Sequence, residues 1–130
     1  MVRPVVLPLL AASLVLGLGA APAQARHGGD RREVRTTGTC SAGARATLKL
    51  KADDRRIEAE LEVEHARSGT WRVVVVHEGT VAWRGSVRAR GGRFSVERRF
   101  ADLAGADAVS VRATGPGGVS CRAGATLSGS

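Results

Sequence analysis

The sequence predicts a small all-β domain, an antiparallel β-sandwich of seven to eight strands spanning residues 34–128, with one disulfide linking the first and last strands. Three observations predict it. From Val34 onward apolar residues recur with period two, which sends alternate side chains to one buried face. No stretch of a dozen residues keeps the helical period. Turn-forming groups, "DDRR", "GG" and "TGPGG", separate the alternating runs.

The first strand is "VRTTGTCSA", containing Cys40. Next comes a hairpin over residues 46–65, in which Ala46, Leu48, Leu50 and Ala52 alternate with polar residues before "DDRR" turns the chain. Ile57, Ala59, Leu61, Val63 and His65 then alternate with four glutamates. A four-residue loop sets Lys51 opposite Glu58, Lys49 opposite Glu60 and Arg45 opposite Glu64, so opposite charges face each other on the outer surface. The glutamate row is thus an ion-paired solvated face. "TWRVVVVHEG" follows, with Trp71, Val73 and Val75 on one side and Val74 and Val76 on the other, so this strand is either covered on both faces or exposes a sticky surface. "TVAWRGSVRA" and "RFSVERRF" flank Gly91 and Gly92, a two-residue hairpin signal. In that register Trp83, Val87 and Ala89 face Phe100, Val96 and Phe94 inside, while Arg90 faces Arg93 and Arg84 faces Arg99 outside. Arg98 falls out of phase opposite Gly85, where its stem has room to lie over the core edge. The last two strands, "DAVSVRA" and "GVSCRAGATLSG", send Val109, Val111 and Ala113, then Val119, Cys121, Ala123, Ala125 and Leu127, inward.

Residues 1–25 read as a secretory signal peptide removed from the mature protein: Arg3, the apolar run "PVVLPLLAASLVLGLGAA" and the small-residue site "AQA". Residues 26–33, "RHGGDRRE", read as a flexible N-terminal segment. The expected product is secreted, with no membrane span in its mature form. The two cysteines, Cys40 and Cys121, are expected to pair in an oxidising compartment. Closing a loop of about 82 residues, the bridge removes roughly 4–5 kcal/mol of unfolded-state entropy. The chain holds 20 basic against 12 acidic residues, a net charge of +8, and nearly all the basic residues are arginine. Such a surface favours anionic partners.

The number of strands suits an immunoglobulin-like sandwich. "DLAGADAVSVRA", residues 102–113, resembles the stretch before the penultimate strand of such domains, where a leucine plugs the core, and Trp71 resembles their strand-C tryptophan. The cysteines sit in the first and last strands and not in strands B and F, which makes this a variant. Residues 38–113 also resemble a family of small secreted proteins of unassigned function from high-GC Gram-positive bacteria. The marks are the Thr-Cys-Ser start, the Lys and Leu strand, the Asp-Asp turn, the alternating Glu strand and the following Trp. In that family Ala46 often corresponds to a tryptophan and Arg55 to a glycine. The resemblance implies secretion and fold, and brings no catalytic residues.

No reaction is legible in the sequence, so the protein is read as non-enzymatic, without cofactor or metal. His27 stands second after the cleavage site, where a tight N-terminal copper site needs it third. His65 and His77 lie in phase with the buried faces of successive strands but near opposite ends of the sheet. The serines follow no nucleophile-elbow pattern. The paired aspartates have no aromatic platforms beside them for a sugar. Two readings follow. One is a module that binds an anionic cell-surface or extracellular polymer through Arg84, Arg88, Arg90, Arg93 and Arg99. The other is a protein-interaction or envelope-structural module using Val74 and Val76 or an open sheet edge.

Overall fold

The computed structural model describes residues 32–129, together with Val2. Apart from that residue, the expected signal peptide and the expected flexible segment through residue 31 lie outside the described residues. Nine strands form two antiparallel sheets: β1 (Arg32–Thr37), β2 (Thr39–Cys40), β3 (Arg45–Asp53), β4 (Arg56–Glu64), β5 (Gly69–His77), β6 (Thr80–Ala89), β7 (Arg93–Ala101), β8 (Asp107–Thr114) and β9 (Ser120–Leu127). The four-stranded sheet has the order β1-β3-β4-β7 and the five-stranded sheet the order β2-β9-β8-β5-β6. Their inner faces meet in one core, where Leu48, Leu50, Ile57, Leu61 and Val63 oppose Trp71, Val73, Val75, Val109, Val111 and Leu127.

The first expected strand is two strands, because the chain changes sheets at Gly38. Before it, β1 pairs with β3; after it, β2 pairs with β9. A side chain at Gly38 would run into the Arg122 carbonyl oxygen and the Ala123 Cβ, so only glycine lets the chain pass so close. The crossing carries Cys40 directly opposite Cys121, to which it is bridged, with 4.0 Å between their Cα atoms. Arg32 and Glu33, expected in the flexible segment, belong to β1.

The β3–β4 hairpin has the expected register, with Lys51, Lys49 and Arg45 opposite Glu58, Glu60 and Glu64. Its turn is tighter than expected, because Asp53 pairs with Arg56 and only Asp54 and Arg55 lie between. Both have positive φ, 48° and 68°. Aspartate tolerates this left-handed conformation, whereas arginine pays about 1–2 kcal/mol through its Cβ. Arg55→Gly should therefore raise unfolding free energy by about 1 kcal/mol in a urea titration with unchanged m-value.

The β6–β7 hairpin is corrected. Gly91 and Gly92 do make a two-residue turn with positive φ, closed by paired backbone hydrogen bonds between Arg90 and Arg93. The ladder stops there. β6 pairs with β5, and β7 crosses to the other sheet to pair with β4. The physical reason lies in the charges and the inner faces. Continued as a hairpin, the strands would set Arg84 against Arg99 on one surface. Parted, each buries its apolar side against the opposite sheet, and Arg93 and Arg99 fall opposite Glu64 and Glu58. At this open side of the sandwich the Arg98 guanidinium stacks 4.0 Å from the Trp83 ring centroid, and Trp83 lies flat over Gly85.

Two inward positions differ from expectation. His65 follows the end of β4 with φ 54° and is exposed, because the strand finishes before its side chain can reach the core. It also lies in the sheet opposite to His77, so the two do not share a sheet. Leu103 is exposed rather than plugging the core, and Asp107 is fully buried four residues later.

Candidate anion-binding face

Each sheet turns one set of side chains outward, and the two outer faces differ in charge. On the four-stranded sheet the outward positions bear Arg35, Arg45, Lys49, Lys51, Arg56, Arg93 and Arg99, matched by Glu33, Asp53, Glu58, Glu60, Glu62, Glu64 and Glu97. That face is neutral. Arg99 bridges to Glu58 at 3.2 Å and to Glu97 at 3.6 Å, and Lys49 to Glu60 at 3.8 Å.

The five-stranded sheet bears Arg72, Arg84, Arg88, Arg112 and Arg122 on its outward positions and, among the described residues, no carboxylate. All five are exposed, and none has an acidic partner within 4.0 Å among the described residues. The registers line several of them up. Thr39 faces Arg122, Arg122 faces Arg112, Arg112 faces Val74 and Val74 faces Arg84, a single row running across the strands. Neighbouring strands lie about 4.8 Å apart, so Arg112 and Arg122 are adjacent and Arg84 is about 10 Å from Arg112.

This row borders a concavity of about 680 Å³. Val74, Val76, Ser110 and Gly124 lie in it, and the crossing segment 37–39 stands at one side. Val74 and Val76 are half-buried here, beside guanidinium groups rather than on a free apolar surface. A second, uncharged hollow of about 540 Å³ adjoins it, sharing Val76, Ser110 and Gly124 and adding small residues such as Ala108 and Thr126.

The five arginines expected to act together are thereby divided. Arg84 and Arg88 stand on the basic face. Arg93 and Arg99 stand on the neutral face of the other sheet, opposite glutamates. Arg90 sits at the turn between them. The structure groups Arg84 and Arg88 with Arg72, Arg112 and Arg122, which were not singled out in the sequence. Each of those three occupies the outward phase of its own strand, a signal that was present; what was missing was the long-range pairing that joins the strands.

A second cluster lies inside. The His77 Nε2–H donates to Asp107 Oδ1 at 2.7 Å, and the Leu103 N–H donates to the same oxygen at 3.2 Å. Arg32 donates to Asp102 at 2.7 Å. Burial pushes the Asp102 carboxyl above its ordinary range, aided by its hydrogen bond with Asp107 and that group's charge, against the pull of Arg32. Burial acts on Asp107 in the same sense, but hydrogen bonds from His77, Asp102 and the Leu103 N–H together outweigh it and hold that carboxyl low. His77, Glu78 and Asp107 have donor atoms within 4.8 Å of one another, a spacing compatible with a metal. Glu78 accepts the Ala108 N–H, and His77 and Asp107 Oδ1 hold each other, while the second Asp107 oxygen, Oδ2, is buried without a hydrogen-bond partner among the described residues. The cluster ties β1, the 102–106 segment, β5 and β8 together. Compared with known protein families, curated proteins and solved structures, the chain matches none.

Proposed function

We propose that this chain is a secreted, non-enzymatic module that binds an anionic cell-surface or extracellular polymer through the outer face of its five-stranded sheet. The observation that carries the reading is the direct cross-strand pairing of Arg112 with Arg122. Like charges in that position oppose folding, and on the other face the like-charged neighbours Arg35 and Lys49, and Glu60 and Glu97, share one cross-strand row in which Lys49 bridges to Glu60, so that row balances its own charge. A row that costs stability and has no internal partner suits a ligand that brings the negative charge. Secretion is supported by the signal-like first 25 residues and by the disulfide. An immunoglobulin-like relationship is supported by the order β2-β9-β8-β5-β6, which parallels an arrangement in which the last strands lie beside the central ones.

The test uses heparin as a model polyanion in a salt series. Contact with about four charges gives a log-log slope near −3 to −4. The double variant Arg112→Ser, Arg122→Ser should weaken binding at least tenfold and flatten the slope by about two, while its melting temperature stays level or rises because the like-charge pair is gone. Salt-independent binding, or affinity lost only together with the fold, would remove the reading.

A further inference from the structure

The arginine row and the groove beneath it narrow the class of polymer, an inference that rests on the proposed binding face. Arg112 and Arg122 stand on neighbouring strands, close enough for two guanidinium groups to converge on one anionic group with several acceptor oxygens. Arg84 lies two strands away, with Val74 between it and Arg112 in the same row. The charge pattern across the groove is therefore a pair, an apolar gap and a third site. A chain with adjoining charges, such as polyphosphate, would place an anion over Val74.

Aromatic platforms are absent from this face. The four aromatic residues of the chain are Trp71, Trp83, Phe94 and Phe100, and all lie on inward positions or pack against the core. Sequence-tolerant binding of single-stranded nucleic acid draws about 1–3 kcal/mol per base from stacking on such residues, and nothing on this sheet supplies it. The floor offers Val74, Ser110 and Gly124 instead, with the uncharged hollow beyond.

We propose that the groove holds one strand of a linear phosphodiester polymer of uncharged, non-aromatic units, lying across the β-strands. Its phosphates sit on Arg122 with Arg112 and on Arg84, and the intervening polyol or sugar unit rests on Val74 and Ser110. Nucleic acid is the disfavoured polyanion on this surface.

The experiment compares poly(glycerol phosphate) with a single-stranded oligodeoxynucleotide of equal phosphate count, both titrated into the purified chain at one salt concentration. The polyol polymer should bind about tenfold more tightly. Ser110→Trp, an exposed position that leaves all five arginines in place, fills the floor and adds a stacking platform, so the preference should reverse while the melting temperature holds. If the oligonucleotide binds the unaltered protein as tightly as the polyol polymer, the polymer assignment is overturned; the basic-face reading survives only where that binding is salt-dependent and lost in Arg112→Ser, Arg122→Ser. If neither polymer binds, both readings are overturned.

Discussion

The double substitution Cys40→Ala, Cys121→Ala is expected to cost about 4–5 kcal/mol of stability. The bridge joins residues separated by 81 positions, so cutting it frees a loop that takes in most of the domain and returns that loop-closure entropy to the unfolded state. A second effect adds to the first. β2 holds its sheet through only two paired residues, one of which is Cys40 itself, so without the covalent link its pairing with β9 has little to sustain it. For a domain of this size the melting temperature should fall by roughly 15–30 °C. Calorimetry of the double variant, and of the native protein under reductant, measures this. A fall of only a few degrees would mean that the β1–β3 ladder alone holds the crossing in place.

Trp71→Ala should cost about 3–5 kcal/mol. The indole is fully buried, tilted against Phe94 with 5.0 Å between ring centroids, and packed on Gly115, where any side chain would collide with it. Its Nε1–H donates to the Arg67 carbonyl at 2.9 Å, fixing the segment that leads into β5. Trp71→Phe separates the two contributions. It keeps most of the apolar volume and leaves that carbonyl without its donor, so about 1–2 kcal/mol should be lost. Urea titrations at constant m-value distinguish the two variants. Equal losses in both would show that the hydrogen bond outweighs the packing.

What the residues disclosed and what they concealed divide along the range of the contacts involved. The β3–β4 register was legible because the two strands are joined by a short turn and their outward charges match in only one alignment. The disulfide was legible from the cysteine count. The inward sets of β8 and β9 were legible because alternation alone defines them. The partners of β6 and β7 were not, since a Gly-Gly turn signals a reversal without saying whether the strands that leave it stay together. That choice depends on β4 and β5, which offer opposite charges to one strand and an apolar ladder to the other. The same limit concealed the candidate site, because Arg112 and Arg122 become neighbours only when β8 pairs with β9, and Arg84 joins them only through β5. The His77–Asp107 pair was hidden likewise, by a sequence separation of 30 and by the expectation that Leu103 would occupy the core.

The change of sheet at Gly38 bears on how the domain carries tension. A pull applied at the two ends reaches Cys40 from one side and Cys121 from the other, and these residues lie side by side on adjacent strands. The load then passes through the sulfur–sulfur bond and bypasses the 80 residues between them. Only β1 ahead of the bridge and the remainder of β9 behind it can peel away, a short, limited extension. β3 through β8, and with them Arg72, Arg84, Arg88 and Arg112, stay outside the path of the force, whereas Arg122, one residue beyond the bridge, lies on it, so tension at the ends would part Arg122 from Arg112 before it disturbed the rest of the face.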